Sequence, residues 1–242
     1  MYESKSFIYL DLQKTGTNFI VDFLERFSSE GKGLRQRHQP PPARDEGKLR
    51  FISVRDPLDQ YVSLYSYGCG KKGALFSRLR MKGQRRLYAR SAGSFHKWLQ
   101  FVLDPTNAAA LNRLYASVGQ GRICELIGFQ SFRFLSLVLS DAKQVFAECA
   151  TKQEIINAYQ LHSAGLVLVR HSHFVSDLKI LVEKHLGDAI ADPRAALKFL
   201  DEAPALNTSE RIDKREGLAV DSFILELLRQ REWLYYDGFV PV

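Results

Sequence analysis

The sequence predicts one three-layer α/β domain, in which helices cover both faces of a central parallel sheet. Apolar, β-prone segments alternate along the chain with segments of helical periodicity, which is typical of a parallel sheet joined by crossover helices. A length of 242 residues suits one sizeable domain. Neither an internal repeat nor a low-complexity linker divides the chain, so we expect residues 1–242 to fold as a single unit.

The first quarter of the chain contains two units of strand, turn and helix. Residues 7–12 are mostly apolar and β-prone, and the helix predicted after them has an apolar face at helical spacing, made of Phe19, Ile20, Phe23, Leu24 and Phe27. A short strand at 34–38 is followed by three consecutive prolines, which prevent both helix and internal strand pairing. The second unit is a strand at 49–54 and a helix from Pro57 to about Tyr67.

The rest of the chain is expected to be mainly helical around one further strand. Residues 127–139 are apolar and fit either a helix or a strand. The strand is predicted at 165–170, and the helices at 95–103, 108–118, 152–161, 172–186, 195–200 and 218–233.

Basic residues are concentrated in one part of this chain of net charge +7. Residues 60–103 contain no acidic residue but include Lys71, Lys72, Arg78, Arg80, Lys82, Arg85, Arg86, Arg90 and Lys97. Such a region attracts anions, either as a binding surface or simply as a solvated loop. Because no nucleic-acid-binding motif accompanies the charge, we expect no nucleic acid partner, and we interpret residues 68–94 as a basic insertion or lid.

Other features of the composition indicate the compartment. No segment has the apolar length of a membrane span, and the N-terminus lacks a secretory pattern, so we expect a cytoplasmic protein. Cys69, Cys124 and Cys149 are widely spaced and contain no CxxC pair, which favours reduced thiols over a disulfide or a metal site.

The turn after the first strand has the residues of an anion site. A loop between a strand and a helix directs backbone N–H groups and the positive helix end at an anion, and Gly16 allows close approach. Thr15 and Thr17 add hydroxyls, and Lys14 adds a full charge. The alternative is an ordinary turn with a surface lysine. The GxxxxGK[ST] pattern and a later metal-binding carboxylate are absent, which disfavours a magnesium-dependent kinase or hydrolase.

The turn after the strand at 49–54 adds a second set of such residues. Arg55 stands at the end of the strand, where open α/β sheets bind ligands, and Ser63 lies on the following helix. Together they could hold one phosphate. The alternative for Arg55 is a structural ion pair with Asp56 or Asp59.

The segments 13–19 and 54–65 resemble the two signatures of sulfotransferases that use 3′-phosphoadenosine 5′-phosphosulfate (PAPS), whose product is 3′-phosphoadenosine 5′-phosphate (PAP). The resemblance implies a P-loop-like fold, closest to the carbohydrate-type members, and no metal. It implies that Arg55 and Ser63 hold the 3′-phosphate, and that the 5′ group is surrounded by Lys14, Thr15, Gly16, Thr17 and Asn18. A late loop closes over the nucleotide in such enzymes, which here implies Arg211, with Lys214 and Arg215 as alternatives.

The expected reaction is in-line sulfuryl transfer to an acceptor hydroxyl. Lys14 would stabilise the leaving phosphate, and His38, at the end of the short second strand, would be the base, with Asp45 or Glu46 as alternatives. The RKGxxG motif of the cytosolic small-molecule branch of the family is absent, which disfavours a steroid or phenol acceptor. The basic region favours a glycan or glycolipid, including an acidic or already sulfated one. The other hypotheses are a nucleotide-dependent kinase or hydrolase with an atypical loop and a non-catalytic nucleotide-binding protein. The oligomeric state is not predicted.

Overall fold

The computed structural model of the chain describes residues 1–36, 39, 47–117, 123–203 and 220–242. Its strands form one sheet in the order β3-β1-β2-β4-β5. The strands are β1 Tyr2–Glu3, β2 Phe7–Leu10, β3 Leu34–Arg35, β4 Leu49–Val54 and β5 Leu166–Arg170.

Helices make up most of the remaining described chain. They are α1 Thr17–Phe27, α2 Pro57–Cys69, α3 Ala74–Met81, α4 Ala92–Leu103, α5 Ala108–Leu111, α6 Arg113–Ser117, α7 Ile123–Leu126, α8 Phe129–Val138, α9 Ala142–Glu148, α10 Lys152–His162, α11 Phe174–Leu181, α12 Pro193–Glu202, α13 Ser222–Arg231 and α14 Trp233–Tyr236. Short 3-10 turns occur at Arg85–Leu87, Pro105–Asn107, His171–His173 and Gly187–Ala189, and a π-helical turn occurs at Val182–Leu186.

The α/β class is confirmed, but the central sheet is mixed and not parallel throughout. Strands β2, β4 and β5 are parallel neighbours, whereas β1 pairs antiparallel with both β2 and β3. Only residues 4–6 separate β1 from β2, and the Ser4 N–H donates to the Phe7 carbonyl at 2.9 Å to close the turn. A parallel pair needs a crossover of a dozen or more residues, so this connection permits only an antiparallel hairpin.

Several local predictions agree with the structure. Strand β4 has the predicted bounds, and the predicted apolar face of α1 is buried. The ambiguous segment 127–139 is helix α8, whose side chains are buried on more than one face, which explains why it showed no clear period. The basic segment 68–94 contains helix α3, which Phe76 and Leu79 anchor to the core.

Helices pack on both faces of the sheet. On one face, Phe7, Tyr9 and Phe51 share a buried cluster with residues of α1, α11 and α12. On the other face, Ile8, Leu10, Ile52 and Val54 share a larger cluster with residues of α2, α4, α8, α10, α13 and α14. Alternate residues of β2 and β4 therefore enter different cores, which is why β2 is continuously apolar in sequence and β4 is apolar except for Arg50 and Ser53.

The crossovers from β2 and β4 leave in opposite directions across the sheet. From β2 the chain passes through α1 to β3, and from β4 it passes through α2 and later helices to β5, on the other side of β4 in the strand order. In keeping with this, α1 and α2 pack on opposite faces of the sheet. The carboxyl ends of β2 and β4 therefore flank a topological switch point, where open α/β sheets form a crevice that binds ligands.

Candidate functional site

The turn between β2 and α1 has an unusual backbone. Lys14 has φ 69° and Gly16 has φ 97°, so two residues of one short loop occupy the left-handed region. Glycine tolerates this conformation, whereas lysine is strained in it. A Cβ atom at residue 16 would also lie 2.7 Å from the Phe174 ring. The turn therefore requires Gly16 for its own shape and for its packing against α11.

The hydroxyls of the turn are engaged within the protein. Thr15 and Thr17 both donate to the Leu12 carbonyl, at 2.7 and 2.9 Å. The Ser53 hydroxyl lies 2.6 Å from Thr15 Oγ1 and 2.6 Å from the Tyr9 hydroxyl, and burial raises the pKa of Tyr9 to about 12. In this arrangement the two threonine hydroxyls shape the loop, and contact with an anion is left to Lys14 and the backbone N–H groups.

The first turn of α1, which follows the end of β2 after one short loop, has backbone N–H groups without intrahelical acceptors. The first intrahelical bond runs from the Ile20 N–H to the Gly16 carbonyl at 3.2 Å, and no side chain of the described residues caps this end of the helix. N–H groups in the first turn lack intrahelical acceptors, and together with the helix dipole they favour an anion. Asn18, in this turn, accepts from Arg35 Nη2 at 3.4 Å, so β3 contributes a further cation beside α1.

Arg55 connects the end of β4 with the Lys14 turn. Its Nη1 donates to the Lys14 carbonyl at 3.4 Å, and its Nη2 donates to Asp59 Oδ2 at 3.4 Å. The predicted alternative of a structural ion pair is thus present with Asp59, while Asp56 caps α2 by accepting from the Asp59 N–H at 3.0 Å. Both bonds of Arg55 are long, and its buried Nε has no acceptor among the described residues. The guanidinium therefore has donors left for a ligand.

The ammonium of Lys14 lies against an aromatic ring that the sequence did not indicate. Its Nζ is 4.0 Å from the centroid of the Tyr67 ring, and no ion pair joins it to a carboxylate in the part of the chain that the structure describes. Burial, and then repulsion from Arg55, lower the pKa of Lys14. Two cations at the switch point are thus only partly compensated, which favours binding of an anion.

The structure brings most of the predicted site residues to one edge of the sheet. Five of them form the turn after β2 and the start of α1, and Arg55 contacts that turn. Ser63 lies in the second turn of α2 and is partly buried. The remaining predictions lie outside the described residues: His38, Asp45, Glu46, Arg211, Lys214 and Arg215.

Tyr67 and Phe174, which lie against the turn, were not predicted, and neither was Arg35 beside α1. The two aromatic residues contact the turn across a long stretch of sequence, and neither belongs to a pattern of spacing. For Tyr67, the one local indication of a site was its position at the end of a predicted helix, next to Gly68 and close to Gly70.

Within the described ranges, no group of three His, Cys, Asp or Glu side chains is arranged to hold a metal ion. No described helix combines the length and the apolar character of a membrane span. No family model matches the chain, and no curated protein and no solved structure matches it.

Proposed function

We propose that this chain is a PAPS-dependent sulfotransferase of P-loop-like fold that acts on a hydroxyl of a glycan or glycolipid. The observation that supports this proposal is the contact between the two predicted anion-binding turns, in which Arg55 Nη1 lies 3.4 Å from the Lys14 carbonyl at the switch point. A donor with anionic groups at both ends requires two such turns side by side, whereas an ordinary phosphate site requires one.

The residues present fit such a donor. Lys14 and the first-turn N–H groups of α1 would hold the 5′ group. The N–H groups of Arg55 that have no acceptor in the protein would, together with Ser63, hold the 3′-phosphate. When bound, PAPS supplies an activated sulfuryl group attached to a phosphate. The Lys14 ammonium is positioned to stabilise negative charge on that phosphate, and His38 is proposed to accept the proton of the acceptor hydroxyl.

Nucleotide preference tests this function directly. We expect PAP to raise the melting temperature of the protein, because a ligand that binds only the folded state stabilises it. At 100 times its Kd the gain is about 2.7 kcal/mol, which for a domain of this size is about 5–10 °C. ATP with magnesium and adenosine 5′-monophosphate serve as controls, since neither has a 3′-phosphate. A larger shift with ATP and magnesium would favour the kinase or hydrolase hypothesis instead.

The affinity for PAP is also expected to depend on pH through the protonation of Lys14. The pKa of Lys14 in the ligand-free protein lies below 10.5, and an anion favours the protonated ammonium. The affinity for PAP should therefore fall as the pH rises through this lowered pKa, before an ordinary lysine would titrate. Calorimetric Kd values from neutral pH to about pH 10 would measure this fall. A Lys14→Arg variant stays charged throughout, so its affinity should fall less. If the Kd for PAP rises equally with pH in the wild type and in Lys14→Arg, Lys14 does not bind the 5′ group as proposed.

A further inference from the structure

The loop that follows α2 fixes the position of the Tyr67 ring. The Lys72 N–H donates to the Tyr67 carbonyl at 3.2 Å, and the Lys71 N–H donates to the Gly68 carbonyl at 2.8 Å, so residues 70–73 fold back over the end of the helix. Gly73 has φ 94°, and a Cβ atom there would lie 2.9 Å from Tyr67 Cδ1. The ring therefore occupies the space that a side chain at position 73 would need. It is held on that side although the residue is 43% exposed.

The Lys14 ammonium lies against the same ring. Its Nζ is 4.0 Å from the ring centroid, a distance at which an aromatic face attracts a cation. In the part of the chain that the structure describes, no carboxylate forms an ion pair with Lys14. The neighbouring charge is Arg55, which donates to the Lys14 carbonyl at 3.4 Å and whose guanidinium repels the ammonium. The attraction of the Tyr67 ring therefore opposes this repulsion.

An aromatic partner has a different effect on the site from a carboxylate. A lysine side chain is long and flexible, and two like charges repel, so without a partner the ammonium would turn away from Arg55 into solvent. An anion would then have to order this side chain when it binds, which costs affinity. A carboxylate would order the ammonium but would also cancel its charge. The neutral ring orders the ammonium and leaves its positive charge for the ligand.

We propose that Tyr67 is a positioning residue of the anion site: its ring, packed against Gly73, holds the Lys14 ammonium near Arg55 in a state ready to bind an anion. That the anion is the 5′ group of PAPS rests on the function proposed above, whereas the positioning of Lys14 does not. The proposal also gives the start of the basic segment 68–94 a role in the site, because Gly73 belongs to that segment.

A double-mutant cycle between Tyr67 and Lys14 tests this role. The Kd values of PAP and of inorganic pyrophosphate are measured by calorimetry. We expect Tyr67→Leu to raise the Kd of the bound anion about threefold to tenfold, and Tyr67→Phe, which keeps the ring, to stay within about twofold of the wild type. In a Lys14→Ala background, Tyr67→Leu should cause no further change, because the ring acts through the ammonium.

Three outcomes of this cycle would overturn the proposal. An equal effect of Tyr67→Leu with and without Lys14 would show a general structural role. A loss in Tyr67→Phe like that in Tyr67→Leu would show that the hydroxyl contacts the ligand directly. Binding of neither anion to the wild type would remove the site itself. If pyrophosphate binds and the cycle shows the coupling, but PAP binds no more tightly than adenosine 5′-monophosphate, Tyr67 keeps its role and the proposed function fails.

The packing of the ring against Gly73 has its own matched control in Gly83. Both glycines have positive φ, 94° and 76°, so alanine is strained at either position, but nothing lies within 4 Å of a Cβ atom at Gly83. We expect Gly73→Ala to displace the Tyr67 ring and raise the Kd of the anion about as much as Tyr67→Leu does. Gly83→Ala should lower the Tm and leave that Kd unchanged. Equal Kd values in the two alanine variants would contradict the proposed packing role of Gly73.

Discussion

Replacing Arg55 by alanine is expected to weaken the binding of PAP about 100-fold. The guanidinium stands at the end of β4 with a buried, unpartnered Nε and two long hydrogen bonds, so its strongest interaction is left for a ligand. Hydrogen bonds to charged groups contribute about 1.5–3 kcal/mol each, and 1.4 kcal/mol corresponds to a factor of ten. Arg55→Lys should recover only part of the affinity, because a point charge lacks the planar pair of donors.

A nucleotide without a 3′-phosphate tests whether Arg55 binds that group. Adenosine 5′-phosphosulfate lacks the 3′-phosphate, so calorimetry should give wild type and Arg55→Ala similar affinities for it. Arg229→Ala, at an exposed position of α13, is the matched control and should leave both affinities unchanged. An equal loss of affinity for both nucleotides in Arg55→Ala would show that Arg55 supports the loop rather than the 3′-phosphate.

The proposed role of His38 as the base can be distinguished from the nucleotide-binding role of Arg55 by calorimetry combined with an activity assay. Because His38 is proposed to act only on the acceptor hydroxyl, His38→Ala should bind PAP like the wild type and lose sulfuryl transfer. A loss of PAP binding in His38→Ala would contradict this division of roles.

Replacing Glu232 by alanine is expected to lower the free energy of unfolding by about 3–5 kcal/mol. Its fully buried carboxylate accepts from the Tyr61 hydroxyl at 2.5 Å, from the N–H groups of Gln130 and Ser131 at 3.0 and 2.8 Å, and from the Ser131 hydroxyl at 2.7 Å. It also supplies negative charge at the start of α8, whose N-cap residue Gly128 has no side chain to cap the helix. Removing it orphans four donors in the core.

Chemical denaturation would measure this loss, with Glu226→Ala on the exposed side of α13 as the control. A Glu232→Gln variant keeps the shape but turns an amide NH₂ toward these donors, so we expect an intermediate loss. Since domains of this kind have total stabilities of about 5–15 kcal/mol, Glu232→Ala should unfold at much lower denaturant concentration. A loss below about 1 kcal/mol would show that water replaces the carboxylate.

The local elements of the proposed donor site were predictable because their causes lie close together in the chain. The continuous apolar run of β2, the glycine at the turn and the helical spacing of the apolar face of α1 all fall within about twenty residues. The same holds for β4, Pro57 and α2. The strand β1 was missed because two residues are too few to show a period, and its direction followed from the length of the turn to β2.

Three features follow from neighbouring residues alone: the α/β class, the two turns with their cations and the concentration of basic residues. The long-range contacts of the site depend on the fold: Arg55 reaches the Lys14 carbonyl, and the Tyr67 ring lies against the Lys14 ammonium. These contacts join positions separated by tens of residues or more, and they depend on which strands pair and on which face each helix packs. Hydrophobic burial and backbone pairing of the whole domain set those choices, so no local pattern encodes them.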